Sequence, residues 1–172
     1  MYKVGQYVVY CGEGVFRVDS IGALELSGVS NEDEYYTLLS PFRAGSKVYA
    51  LVGNEEGKLR DVISKSEAEK VLDDLAGLDE IEVPNEKLKD EIYKKLIHNN
   101  DYLDLAKVIK TMYVKKITKL AMGKKMTSGD DRYYRMAEER LIGELAVVLG
   151  LDRVEIKKIM EEKLGKITVQ PS

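Results

Sequence analysis

Tryptophan is absent from this chain, and cysteine and histidine occur once each, as Cys11 and His98. A lone cysteine excludes an intramolecular disulfide and any cysteine cluster for zinc, which suits a reducing cytoplasm. A histidine-dependent triad has only His98 to use. That residue precedes Asn99-Asn100 at an expected helix end, where capping or solvent exposure accounts for it. Cys11 sits in a turn-like Tyr10-Cys11-Gly12-Glu13 context with no basic neighbour in sequence. Glycine-rich dinucleotide and phosphate loops and paired-histidine metal motifs are missing as well. The expectation is a non-enzymatic protein with no catalytic, cofactor-binding or metal residue and no cofactor. No apolar run approaches the ~20 residues that span a bilayer, and the N-terminus alternates apolar and polar residues. We therefore expect a cytoplasmic protein without membrane contact.

Charge is present in quantity but divided. Residues 1–84 hold 8 Lys/Arg against 16 Asp/Glu, net −8, whereas residues 85–172 hold 19 against 14, net +5. From Lys107 to Lys125 there are seven lysines and no acid. An acidic part joined to a basic part predicts two different partner surfaces, one of them a polyanion. The 172 residues, 44% apolar and 33% charged, are ordinary globular composition and comfortable for two domains.

The first sixty residues predict short strands at 7–10, 14–18, 35–39 and 47–52, rich in β-branched and aromatic side chains and separated by glycine-containing turns. Such spacing implies a small, strongly bent antiparallel sheet or barrel. Helical signals begin at Ser64. Ser66-Glu67-Ala68-Glu69 has a capping-box pattern, and Ala68, Val71, Leu72 and Leu75 follow at helical spacing to Gly77. An acidic hinge is expected up to Val83-Pro84-Asn85, since Pro84 disfavours helix at Val83. Helices over about 86–98, 102–122, 130–149 and 152–164 complete a bundle, with Thr168 to Ser172 loose. The fold class is thus α+β: a β domain over 1–63, a helix and acidic hinge over 64–84, and a basic all-α helical bundle over 85–172.

On the 102–122 helix, Leu105, Ile109, Met112, Tyr113 and Leu120 gather on one side, Lys107, Lys110 and Lys115 point away, and Lys116 and Lys119 lie at the flanks. With Lys124, Lys125 and Arg132, one solvent face is expected to be uniformly basic. An ordinary solvated face is the bland alternative, but such faces usually carry glutamates at i,i+4. The acid pairs Asp73-Asp74, Asp130-Asp131 and Glu161-Glu162 are expected at the surface with structural roles.

Several segments, in order, resemble one family. Lys3-Val4-Gly5-Gln6-Tyr7-Val8-Val9-Tyr10 and the following Cys11 to Val18 resemble the "KxGDxVVYPxHGxxxI" opening of CarD-like bacterial transcription regulators. Leu59-Arg60-Asp61-Val62 looks like the close of their first domain, Ala106 to Met112 resembles their "AEVVRDL" helix, and Ala137 to Ala146 their "AxxxLxxELA" helix. The resemblance implies a Tudor-like, SH3-like β-barrel that docks on the RNA polymerase β subunit through an exposed sheet edge. It also implies a helical domain that reaches the phosphate backbone of promoter DNA and modulates open-complex stability. The matching polymerase-facing residues are Arg43, Lys47, Val48, Tyr49, Ala50 and Leu51. The expected DNA-contacting set is Lys87, Lys89, Lys94, Lys95, Lys115, Lys116, Lys119, Lys124, Lys125 and Arg132.

The chain departs from the family where arginines face polymerase, with Leu24 and Ala50 in their place. The minor-groove tryptophan is replaced by Pro84-Asn85-Glu86, and Asp79, Glu80 and Glu82 stand near the expected DNA path. Leu88 is the nearest apolar substitute for the tryptophan, although its spacing with Ile92 predicts core packing. A monomer is favoured. The alternative is an interaction adaptor whose basic half binds an acidic protein and never touches DNA.

Overall fold

The computed structural model describes residues 1–29 and 32–168. Five strands, β1 (Tyr7–Tyr10), β2 (Gly14–Gly22), β3 (Tyr35–Leu39), β4 (Lys47–Leu51) and β5 (Leu59–Asp61), precede five helices. These are α1 (Lys65–Asp74), α2 (Lys89–Asn99), α3 (Tyr102–Ala121), α4 (Ser128–Leu149) and α5 (Arg153–Leu164). The class is α+β, in two units that divide between Val62 and Ile63.

All strand pairs are antiparallel, in the order β4-β3-β2-β1-β5. The sheet is open, with β4 and β5 at its edges, so of the antiparallel sheet or barrel expected from strand spacing the sheet forms, and the barrel that the resemblance implies is not closed. Alternation sets its inner face: Tyr36 and Leu38 of β3 are buried with Val8, Phe16, Val18, Ala50 and Leu59. The tyrosine hydroxyl at 36 donates to Glu55 Oε1 at 2.8 Å and accepts from the Tyr2 N–H at 3.1 Å, so its burial leaves no unmet polar group. β2 runs four residues longer than expected, with a register irregularity between Val18 and Ser20 that bends it. β5 was not anticipated, because three residues are too few to show a period.

The helical unit is built around α3 and α4. Leu105, Ile109 and Met112 pack with Leu141 and Leu145, and Ile156, Met160 and Leu164 of α5 complete the core. Each of these large side chains stabilises by about 1.5–3 kcal/mol relative to exposure. The cap of α1 lies two residues before the expected one. Ser64 accepts from the Glu67 N–H while Glu67 Oε2 accepts from the Ser64 N–H, a reciprocal capping box in which Ser66 is already inside the helix. Thr127 caps α4 and Asp101 caps α3. α2 ends on Asn100 in the left-handed region (φ 59°), a conformation that asparagine tolerates better than most residues.

Several sequence expectations change here. The acidic stretch after Gly77, expected as a hinge, is tied to the helical unit: Ile81 N–H donates to Thr111 Oγ1 at 2.8 Å, and Lys110 Nζ donates to the Leu78 carbonyl at 2.6 Å, strapping 78–81 onto α3. Lys110 is therefore held inside the unit and does not point away from it. Leu88 is 43% exposed in a single 3-10 turn (Glu86–Leu88), and Leu120 is 56% exposed, so neither joins the core. Of the terminal stretch expected to be loose, 169–172 lie outside the described residues. No described helix is long and apolar enough to cross a membrane.

Candidate functional site

β4 is an edge strand, and its register states which backbone groups face outward. Ser40 N–H donates to the Ser46 carbonyl at 3.0 Å and Val52 N–H to the Glu34 carbonyl at 2.9 Å. Antiparallel bonds alternate, so Ser46, Val48, Ala50 and Val52 face β3, and the N–H groups of Lys47, Tyr49 and Leu51 face away from the sheet. Side chains divide as well. Lys47 and Tyr49 are exposed, the latter by 37%, whereas Ala50 is in the core and Val48 packs against it. Arg43, exposed, lies in the turn before β4. Of the six expected polymerase-facing residues, Val48 and Ala50 are thus turned inward, because they share the inner face with Leu38 and Tyr36, their partners across the ladder.

In the helical unit the expected basic residues divide between the lining of a cleft and the exposed surface outside it. Lys89, Lys115, Lys119 and Lys124 line a cleft of about 460 Å³ together with Glu80, Val83, Glu86, Tyr93, Thr111, Val114, Thr118 and Met122. Its walls are the 80–89 segment and the second half of α3. Lys87, Lys94, Lys95, Lys125 and Arg132 are exposed outside its lining, and Lys116 is exposed with its Nζ 6.0 Å from the Tyr134 ring centroid. The face is mixed in sign, with two glutamates among four lysines.

Beneath the cleft lies a residue that sequence reading placed at the surface. Asp130, 0% exposed in the first turn of α4, has Lys115 Nζ at 2.6 Å from Oδ2 and Lys89 Nζ at 3.2 Å from Oδ1. Burial pushes its carboxyl up, but the ammonium of Lys115 and then that of Lys89 outweigh burial and hold it below the usual carboxylate range. For Lys89 the balance is similar. Burial lowers its ammonium, and hydrogen bonds to Asp130 and to Glu86 (3.2 Å) more than restore it, so it ends raised. Lys89 and Lys115 are therefore engaged by carboxylates within the fold. The neighbouring Asp131 behaves as expected, pairing with Arg135 at 2.8 Å across one helical turn.

A second link runs parallel. Tyr133 donates to Asp90 Oδ1 at 2.6 Å and stacks on Tyr93 with ring centroids 5.4 Å apart. Its hydroxyl is pushed up to about 12, by burial first and then by the Asp90 bond. Thr127-x-x-Asp130 is a visible capping pattern, and it was the available clue that this acid belongs to a helix start. Among the described residues no group of three or more His, Cys, Asp or Glu side chains is placed to hold a metal ion. His98 is exposed in the last turn of α2. In comparison with known proteins, the chain matches no family model and no curated sequence.

Proposed function

We propose that this chain is a two-surface transcription adaptor of the CarD-like kind, docking on the RNA polymerase β subunit through the rim of β4 and contacting promoter DNA phosphates through its helical unit. The observation that carries the reading is the outward-facing edge of β4, with Lys47 and Tyr49 exposed beside it. A partner strand added there gains main-chain hydrogen bonds from groups already extended. The bend of β2 supports a Tudor-like sheet. The division of charge between residues 1–84 and 85–172 supports separate partners. Leu88, exposed next to Lys87, supplies an apolar side chain where the family has tryptophan. In this reading the adaptor modulates open-complex stability.

Co-purification with RNA polymerase tests the first contact, and loss of the β subunit at moderate salt overturns it. For the second, Lys119→Glu, Lys124→Glu and Lys125→Glu together should flatten the log K against log salt slope by at least the ~0.9 expected per lost phosphate contact. Lys115 is unsuitable for that test because it neutralises Asp130. Glu80 and Glu86 among the lysines favour a second reading, a protein partner carrying both signs. Stoichiometric capture of such a partner, with DNA binding indifferent to salt, selects it.

A further inference from the structure

We propose that the cleft between the 80–89 segment and α3 is a binding site for a small organic anion, one with an apolar body and a phosphate or carboxylate head. The inference shares Lys119 and Lys124 with the proposed DNA contact, but it is tested with neither polymerase nor DNA present. Three observations carry it. The volume, about 460 Å³, lies within the ~300–1,000 Å³ range of small-molecule sites.

Charge within the cleft is unevenly compensated. Lys89 is matched by Glu86 and Asp130, and Lys115 by Asp130, so these two brace the walls. Lys119 and Lys124 line the same cleft, and among the described residues neither pairs with a carboxylate. Glu80 adds to the lining one carboxylate that is unpaired among the described residues, and the lysines without an ion pair, Lys119 and Lys124, stand at and just beyond the C-terminal end of α3. A ligand head seated there meets two ammonium groups, and the buried acid holds a third nearby.

The two threonine hydroxyls lining the cleft are already committed. Thr111 Oγ1 donates to the Lys107 carbonyl at 2.7 Å and accepts from Ile81 N–H, and Thr118 Oγ1 donates to the Val114 carbonyl at 2.7 Å. Apart from the lysines and the two glutamates, Glu80 and Glu86, what remains is largely apolar: Val83, Val114, Met122, the Thr118 methyl and the Tyr93 ring. Such a wall discriminates by an apolar body, and the lysines discriminate by charge. Inorganic phosphate alone, or a neutral alcohol alone, satisfies only half of the site. A nucleic-acid phosphate is likewise only the head of what the cleft fits.

The experiment titrates the full chain with hexyl phosphate, inorganic phosphate and hexanol, following backbone amide shifts by NMR. Hexyl phosphate should bind at least about tenfold more tightly than either of the others, moving the amides of Ile81, Val114, Thr118 and Lys119. Lys119→Met with Lys124→Met should weaken it about tenfold or more, whereas Lys94→Met with Lys95→Met should leave it unchanged. Thr118→Trp, which fills the groove from a half-exposed helix position, should abolish it with the helical signal retained. Equal affinity for hexyl phosphate and inorganic phosphate overturns the proposal. So does binding that survives Lys119→Met/Lys124→Met, or a shift pattern centred elsewhere.

Discussion

Lys115 Nζ lies 2.6 Å from Oδ2 of Asp130, a carboxylate with no exposed surface that also receives Lys89. The three residues come from α2, α3 and α4, so one carboxylate ties three helices together. Removing one partner of a buried pair leaves a charge without adequate compensation, which costs about 3–5 kcal/mol when no other partner remains. Here Lys89 persists, so Lys115→Met should destabilise by about 2–3 kcal/mol and Asp130→Asn by a similar amount. Combining the two substitutions should cost less than their sum by at least about 1 kcal/mol. Urea unfolding of the four proteins measures this, and simple additivity would show that the contact contributes no coupling.

The same carboxylate predicts an acid transition. Its folded value is held below the ordinary range, so its contribution is fully present above the unfolded value of about 4 and is lost as pH falls through the folded value. Asp104 works the other way. Burial, and then the like charge of Asp101, raise it, so protonating it relieves the fold. The stability gap between the parent chain and Asp130→Asn should be constant above pH 5 and narrow progressively as pH falls below about 4. A gap that does not narrow at all as pH falls below about 4 refutes the assignment.

A further prediction concerns entry into the helical unit. Glu144, 2% exposed, accepts the Ile63 N–H at 2.9 Å, immediately before the Ser64 cap. Glu144→Gln keeps an acceptor there and should cost under about 1 kcal/mol, whereas Glu144→Leu leaves a buried donor unmet at about 1–3 kcal/mol. Hydrogen exchange at the Ile63 amide separates the cases. Protection should fall sharply in the leucine variant only, and equal protection in both removes the bond from the account.

How far the sequence could be read follows from the range of each interaction. Strands β1, β3 and β4 and all five helices declare themselves because two-residue and 3.6-residue periods are local. The Ser64 cap was misplaced by two residues because Ser64 and Ser66 both precede a glutamate at the capping distance. Asp130 looked like an ordinary surface acid, since its cations stand 15 and 41 positions earlier on other helices. Lys110 looked solvated because its acceptor is a backbone carbonyl 32 residues away, in a segment with no period of its own. Leu120 shares the helical phase of Ile109 and Met112, yet it is exposed in the last turn of α3. Periodicity states the face, not where along the helix the neighbours stop.

The β4 edge yields a test that separates backbone docking from side-chain contact. Tyr49 N–H faces away from β3, so proline there removes an outward donor and no ladder bond, the one situation in which a strand tolerates it. Tyr49→Pro should cost the sheet about 1 kcal/mol, chiefly because the strand must bring φ toward −65°. Val48→Pro, whose N–H faces Leu38, should cost about 3 kcal/mol or more. If a partner strand pairs along β4, Tyr49→Pro abolishes capture by RNA polymerase while the circular dichroism of the sheet is preserved. Tyr49→Ala, which keeps the N–H, should retain much of it. Retention of polymerase by Tyr49→Pro at the parental level excludes strand addition at this rim. Equal loss in Tyr49→Pro and Tyr49→Ala instead assigns the contact to the tyrosine ring, which is 37% exposed on the outer face of the sheet.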